Sequence, residues 1–408
     1  MAPDETRAVL VVGCTSASAH GQDQLRRLAA QAASRNVRLV GADSPDVLKT
    51  DVWRMPAHET VAVDLAAPDA LAAFAASRPG LAAVLTVKEG GVLPTALLAR
   101  ELGVAGNDPR AVRTIRNKDM ARAVLRDAGF RQPDCTVAAG EAEARAFLAG
   151  RAGRGPWIVK PRDGMGSAGV SLVETPRDLP AAVGALGADV PFLVEEFVRG
   201  EEFSAEGVVI GGSTYILGVT RKQTGPGFVE TGHRMPAGLD AATEATARAD
   251  VARAVSAVGV SHGIVHVEFW VTPEHEVVLG ELHARPGGDF VHALVEHTRP
   301  GFELYGALLD DLLGERPPPV PAPSRAAGSQ FLVFGPGRVT AVEGWERAAA
   351  TEGLIAARLD VAPGDVLGPV RSSADRHGVL VAGADGPDEV DAVLAEAQKA
   401  LHVALGNG

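Results

Sequence analysis

Between residues 8 and 105 the chain alternates two periodicities, and this alternation restricts its fold more than any other feature. "AVLVVG", "VRLVGAD" and "LAAVLTV" are short apolar runs rich in β-branched residues. "DQLRRLAAQAASRN", "DALAAFAASRP" and "GVLPTALLARELG" carry apolar residues at helical spacing. A βαβαβα order predicts a parallel sheet covered by helices. Ligands of such sheets sit beyond the carboxyl ends of the strands. "GCTSASAH" after the first strand and "KEGG" after the third fall there, so Lys88 and Glu89 are candidate substrate contacts.

Downstream, "RAVRTIRNKDMARAVLRDAG" predicts one long helix. "PWIVKPRDGMGSAGVSLV" reads as strand, Gly-rich loop, strand, and "PFLVEEFVRGEEFSAEGVVIGGSTYILGVT" as a strand, a short link and two antiparallel strands. A helix over "AATEATARADVARAVSAVG" precedes a hairpin, and a helical stretch follows it. The Pro-rich "ERPPPVPAPSRAAG" is a connector to a small α+β unit. At 408 residues the chain exceeds one core. We expect units at 1–114, 115–190, 191–316 and 317–408. A net charge of −12 argues against a phosphate-backbone binder, which would carry a basic stripe. Two cysteines exclude a disulfide framework and a Cys-based zinc site, and point to a reducing cytosol. The apolar run near the start is too short for a membrane span and follows an acidic stretch, unlike a signal peptide.

The late hairpin "HVEFWVTPEHEVVLGELHARPGGD" (266–289) carries polar groups that a core hairpin does not need. With a four-residue turn at "PEHE", Thr272 pairs with Val277, Glu268 with Glu281 and His266 with His283. Strand alternation then puts all four on one face. Facing carboxylates repel and call for a cation between them. Two hard oxygen ligands suit Mg²⁺ with waters and phosphates, and the His₂Glu₂ set suits Zn²⁺ at the same spacing.

Lys160 ends a β-rich run just before Asp163–Gly169. The small residues Gly164, Gly166, Ser167 and Gly169 let backbone N–H groups approach a phosphate, with Lys160 adding charge. Lysine is scarce here, six against thirty-three arginines, so its appearance beside this loop suits a compact point charge. No GxxxxGK[ST] occurs, and the first strand is not followed by GxGxxG, which excludes a P-loop and counts against a dinucleotide oxidoreductase. Glu195-Glu196-Phe197-Val198 followed by Glu202 suits a nucleoside slot, where linker backbone meets a base edge and a carboxylate meets ribose.

The order "RNKDMARAVLRDAGFRQP", "WIVKPRDGMGSAGV", "LVEEFVRGEEFSAEG", "GFVETGHRMPAGL", "HVEFWV", "GELHARPGGD" resembles the ATP-grasp superfamily, and within it the carboxylate–amine ligases that include L-amino-acid (dipeptide) ligases. The resemblance implies an α/β ATP-grasp architecture: an N-terminal parallel α/β domain, two α+β subdomains clamping ATP, and a C-terminal α+β unit. It implies that Lys118 and Lys160 hold ATP and that Asp163–Gly169 is the phosphate lid. Glu195 or Glu196 with the Phe197–Val198 backbone would be the adenine linker, and Glu202 the ribose carboxylate. Glu268 and Glu281 would be Mg²⁺ ligands, Arg285 the stabiliser of the acyl phosphate, and Gly287 and Gly288 the turn that presents N–H groups. Glu230, His233 and Pro236 would close over the acceptor side, with His233, Glu230 and His283 as candidate bases. The family's metal motif reads E-x-N-x-R; His283 holds the Asn place, which puts a second metal in question and suits either a supporting imidazole or tolerance of Mn²⁺.

The implied reaction is ATP-dependent amide formation from small carboxylate and amine substrates through an acyl phosphate, releasing ADP and phosphate. The partners expected are small molecules, with no nucleic acid and no membrane; dimers are frequent in the family. A carboxylase or nucleotide-pathway ligase of the same fold, a non-catalytic ATP-binding module, and a zinc hydrolase built on His266, Glu268, Glu281 and His283 are the rival readings.

Overall fold

The computed structural model describes residues 7–406 apart from 152, 165, 167, 188 and 189. The first sheet has four strands, β1 (Ala8–Val12), β2 (Arg38–Asp43), β3 (Glu59–Ala62) and β4 (Leu81–Thr86), in the order β3-β2-β1-β4 and all parallel. The short β3 is an addition to the three strands expected. Its "ETVA" alternates half-buried and exposed residues, as an edge strand does, and lacks the apolar run of its neighbours.

A small antiparallel sheet follows: β5 (Cys135–Ala138), β6 (Trp157–Pro161), β7 (Ser171–Val173) and β8 (Phe192–Glu196), ordered β5-β8-β6-β7. A larger sheet collects β9 (Glu201–Ile210), β10 (Ser213–Thr224), β11 (Glu230–Met235), β12 (Gly263–Val271), β13 (Val277–His283) and β14 (Ala326–Phe331). Beyond them come β15 (Gly337–Glu343), β16 (Leu354–Leu359), β17 (Val366–Leu367), β18 (Gly378–Ala384) and β19 (His402–Gly406). The large sheet is eight-stranded, in the order β13-β12-β9-β10-β11-β14-β18-β16, while β17-β15-β19 form a fourth, three-stranded sheet.

Two expected boundaries move. β8 lies past residue 190 but pairs with β6 and β5, so the small sheet runs to Glu196. Strand β14, past the Pro-rich connector, bonds to β11, so the C-terminal segment extends the large sheet. Its loops therefore come within reach of β11 and of whatever β11 carries.

The large sheet sorts its residues by alternation. On β9, Phe203 and Ala205 enter a core with Phe269, Val251 and Leu279, and Phe203 and Phe269 stack at 5.7 Å. Glu202, Ser204 and Glu206 point the other way. A second core joins β1 and the helix Ala19–Ala33 to the helix Leu304–Leu312 through Val9, Leu25, Leu28, Tyr305 and Leu308, and reaches Val208 and Leu217 of the sheet. The N-terminal unit is thereby fixed beside the sheet's polar face.

The long helix expected over 110–129 is two helices, Pro109–Arg116 and Lys118–Asp127. Asn117 between them is extended (φ −98°, ψ 103°) and its side-chain amide donates to the Arg113 carbonyl. Asparagine can satisfy a helix end with its own side chain, so a local alternative outcompetes the periodic pattern. The break makes Lys118 the first residue of a helix rather than the middle of one.

Candidate active site

One cavity of ≈ 1190 Å³ opens between these layers. The polar face of the large sheet forms its floor, β6, β8 and the loop after Lys160 one wall, and the strand ends of the N-terminal unit another. Residues 358–379 of the C-terminal segment close a further side, which the sequence had not signalled.

At the floor, Lys222 of β10 is buried among three carboxylates. It meets Glu202, Glu268 at 3.0 Å and Glu230 at 3.4 Å. Burial alone would lower its pKa, but the three acids outweigh burial and raise it well above the usual lysine value. Reciprocally, burial would raise the Glu268 carboxyl, and Lys222 leads the groups that hold it well below the ordinary range. Both stay charged, as a buried pair must to offset its desolvation.

A second cluster bridges the two sheets. Lys118 Nζ donates to the Gly164 carbonyl at 2.8 Å and stands 3.3 Å from Glu281. Lys160 sits 2.6 Å from Glu195 and 3.5 Å from Glu281. Glu195 also meets Arg122 Nε at 3.2 Å, and against the upward push of burial Arg122 and Lys160 bring its carboxyl down to about 2. Arg122 Nη1 donates to the carbonyls of Leu279 (2.6 Å) and Gly280 (3.0 Å) on β13. Glu195 thus holds two cations where it lines the cavity. In the linker the Phe197 N–H donates to Pro156 at 3.0 Å, which leaves the Val198 amide for a base edge. Glu196 lies at the cavity wall, 3.3 Å from Arg154. Glu202 lines the cavity, and Gly164 and Gly166 do so from the loop. Gly169 packs against Pro161, and Ser167 lies outside the described residues.

The hairpin's registers differ at its two ends. His266 pairs with His283 and Val267 with Leu282, as the sequence suggests, but Phe269 pairs with Leu279 and Val271 with Val277. The turn is one residue longer at the β12 end than a four-residue loop, and a bulge at Gly280-Glu281 opposite Glu268 restores the count. The bulge keeps Glu268 and Glu281 lining one cavity. It needs a glycine: a Cβ on Gly280 would stand 2.8 Å from the Glu268 carbonyl oxygen. Gly280→Ala is expected to cost about 1–3 kcal/mol of stability through this backbone clash and to lower turnover. Thermal melting and phosphate release on the same sample check it.

The expected metal trio is not assembled. Among the described residues no three His, Cys, Asp or Glu groups converge as a metal site would require. His283 turns Nδ1 to Glu89 at 2.9 Å, and its Nε2 stays 3.8 Å from Glu281. His266 is likewise engaged, with Nδ1 2.8 Å from buried Glu206, and their mutual attraction overcomes burial to raise the imidazole to about 9. This removes the four-ligand zinc arrangement. The two carboxylates Glu268 and Glu281, on adjacent strands and lining one cavity, still fit a hydrated Mg²⁺, which takes one or two carboxylates plus phosphate oxygens and no all-protein cage.

Arg285 Nε donates to the same Glu89 oxygen at 2.9 Å. Glu89 therefore ties the N-terminal unit to the hairpin end, and His283, with Arg285, holds its carboxyl far below the usual range against burial. Lys88 lines the cavity too, its Nζ 3.4 Å from Thr15 Oγ1, and its stem crosses Gly13, where a Cβ would collide at 2.9 Å. Cys14 nearby is buried, and burial pushes its thiol up to about 11, so it is structural. His233 Nε2 meets Asp289 at 3.2 Å. Asp289 and Phe290 both have left-handed φ, 54° and 63°, directly after Gly287-Gly288. Two such non-glycine residues in succession are costly and mark a turn held for its shape. Gly287 packs on His266 and Glu206, where a Cβ would be 2.9 Å from His266 Nδ1.

Four site residues were not signalled by sequence spacing: Arg122, Glu206, Asp289's partner Arg376, and Ser373. Trp270 also lines the cavity.

Sequence comparison gives two family matches. Residues 154–293 match the ATP-grasp domain and residues 330–406 the L-amino acid ligase C-terminal domain 2. The protein y4rH of Sinorhizobium fredii is 28% identical over 79% of this chain and 68% of its own length. Human carnosine synthase 1 is 30% identical over 52% of this chain, which spans only 28% of that protein. The crystal structure of an L-amino acid ligase from Bacillus licheniformis superposes with a TM-score of 0.82 at 22% identity, covering 98% of this chain and 99% of that one. Sheet order and the two domain matches in sequence order agree: the chain has the ATP-grasp fold and carries an ATP-grasp domain followed by an L-amino acid ligase C-terminal domain.

Proposed function

We propose that the chain is an ATP-dependent ligase joining the carboxylate of one amino acid to the amine of a second small molecule, with ADP and phosphate released. The observation that carries this reading is the convergence in one cavity of Lys118, Lys160 and Lys222 with Glu268, Glu281 and Arg285. A carboxylate is a poor electrophile, and phosphorylation by the γ-phosphate of ATP gives it a leaving group. The chain's part is positioning and charge. Lys118 and Lys160 would face the phosphates, which draw them away from Glu281. The Val198 amide would meet the base and Glu202 the ribose. Glu268 and Glu281 would hold Mg²⁺, which supplies charge neutralisation at the phosphoryl group. Arg285 and the N–H groups after Gly287 would stabilise the oxyanion when the amine attacks, and the glycine loop would exclude water. His233, with one nitrogen fixed on Asp289, is the best placed base.

The match of residues 330–406 to the L-amino acid ligase C-terminal domain favours amino-acid substrates over a carboxylase reaction of the same fold. The two cysteines are free, which suits a reducing cytosol. Among the described residues no helix is long and apolar enough to cross a membrane. The test is phosphate release from ATP and Mg²⁺ with pairwise amino acids, products read by mass, with bicarbonate as a separate arm. Phosphate released in step with an amide of summed mass less water is expected. Release that requires bicarbonate, or none with any pair, would remove the proposal.

A further inference from the structure

The loop 371–377, carried by the C-terminal segment between β17 and β18, reaches into the cavity and makes contacts unrelated to folding that segment. The side chain of its Arg376 is 8% exposed, and the guanidinium lies 3.5 Å over the Phe331 ring. Nε donates to the Ser373 carbonyl at 2.9 Å. Nη1 donates to the Glu230 carbonyl at 3.1 Å and to Asp289 Oδ2 at 2.8 Å, and Nη2 to Asp289 Oδ1 at 2.6 Å. Four of five donors are thus spent on protein, which leaves little for reading a substrate. What the fork does instead is join β11 to the left-handed turn at Asp289. Ser373 adds two ties: its hydroxyl donates to Glu230 Oε2 at 2.8 Å and its N–H to the Gly166 carbonyl of the phosphate loop at 3.3 Å.

Asp289 is the pivot. One of its oxygens also takes His233 Nε2, and a carboxylate only accepts, so the imidazole proton is fixed on Nε2. The lone pair is left on Nδ1, which is buried and has no partner among the described residues. This is the logic by which a carboxylate fixes the tautomer and direction of an imidazole.

We propose that Arg376 is a positioning residue for amide formation: it clamps Asp289, and through it fixes the tautomer of His233 and the turn at Gly287–Phe290. The consequence for turnover rests on the ligase reading above; the consequence for His233 does not. The C-terminal segment is then part of the active centre, and an acyl phosphate can be used only when its loop is seated.

Arg376→Met keeps the stem and the packing on Phe331 and removes the fork. Product formation should fall about a hundredfold, the scale set by small misplacements of reacting groups. KM for ATP should stay within about twofold, because the nucleotide contacts lie on the other wall, while phosphate released per amide rises above one as water takes the intermediate. Arg376→Lys restores charge but cannot grip Asp289, the Glu230 carbonyl and the Ser373 carbonyl together, so it should recover only about tenfold. Imidazole nitrogen shifts, assigned through His233→Gln, should show one Nε2–H tautomer in the unaltered protein and a mixture in Arg376→Met. Should Arg376→Met not fold, Arg376→Lys carries the test and should show the same mixture. Identical His233 shifts in the unaltered protein and whichever variant folds would overturn the assignment, whatever the substrates are. An unchanged ratio of phosphate to amide would overturn it as well. No amide from any acid and amine would defeat the ligase reading instead, and the shifts would still decide the role of Arg376.

Discussion

Glu281→Gln is expected to lower ATP-dependent phosphate release by at least about a thousandfold while the fold survives. Glutamine matches glutamate in size and keeps one carbonyl oxygen, so packing in the bulge is preserved. What is lost is a negative charge between Lys118 at 3.3 Å and Lys160 at 3.5 Å, on the face that also carries Glu268. Lys160 retains Glu195 at 2.6 Å, and Lys118 keeps the Gly164 carbonyl at 2.8 Å with the glutamine oxygen beside it, so both stay hydrogen-bonded and the melting temperature should change little. On the proposed reading only Glu268 would then remain to hold Mg²⁺, and Glu268 is already bound to Lys222. Nucleotide binding measured by calorimetry should persist without magnesium and lose its magnesium dependence. Arg285→Ala tests the other half of the chemistry. It should cost about a hundred- to thousandfold in kcat, the range seen when a donor to a developing oxyanion is removed. Turnover above about one tenth of normal in Glu281→Gln would sink the metal assignment.

These effects could be anticipated because the hairpin states its chemistry locally. Alternation alone places His266 and Glu268 on one side of β12, and Glu281 and His283 on the facing strand, with Arg285 two residues past its end. The same holds for the βα rhythm of the N-terminal unit, where each element's period is visible within a dozen residues. The misses have a different physical origin. The bulge at Gly280 is set by how β12 and β13 meet, and a lone glycine in a strand does not say which neighbour it must avoid. Asn117 broke a periodic helix because its side chain offered the backbone another partner. Arg122, Arg376 and Glu206 act through contacts 60 to 158 residues away in sequence, such as Glu206 with His266, Arg122 with Gly280 and Arg376 with Glu230. No local pattern encodes those partners, and in an arginine-rich chain one more arginine carries no signal. His283 was read as a ligand from its spacing, but which way an imidazole turns depends on Glu89, which the fold brings in from the N-terminal unit.

Arg122→Ala should be among the most destabilising single changes, by about 3–5 kcal/mol, the range for breaking a buried ion pair from one side. Arg122 is only 2% exposed and spans three elements: the helix Lys118–Asp127, β8 through Glu195, and β13 through the Leu279 and Gly280 carbonyls. Its removal takes a donor from the buried Leu279 and Gly280 carbonyls, of which only Leu279 keeps Gln132 at 3.3 Å, opens a cavity, and leaves Glu195 to Lys160 alone. A melting temperature lower by at least about 6 °C follows from that range for a unit of this size. The double variant Arg122→Met, Glu195→Met should lose less than the sum of its single changes, because it removes both charges and strands neither. The pH dependence has a definite sign. Glu195 is lowered in the fold from its ordinary 4.5 to about 2, so the unfolded chain binds the extra proton between those values. Its contribution is complete above about pH 4.5 and is lost as pH falls toward 2. The gap in stability between the unaltered protein and Arg122→Ala should therefore be widest near neutrality and narrow on acidification. Chemical denaturation at pH 7 and pH 4 measures both terms, and a gap under about 1 kcal/mol at pH 7 would mean that Arg122 does not hold the hairpin to the small sheet.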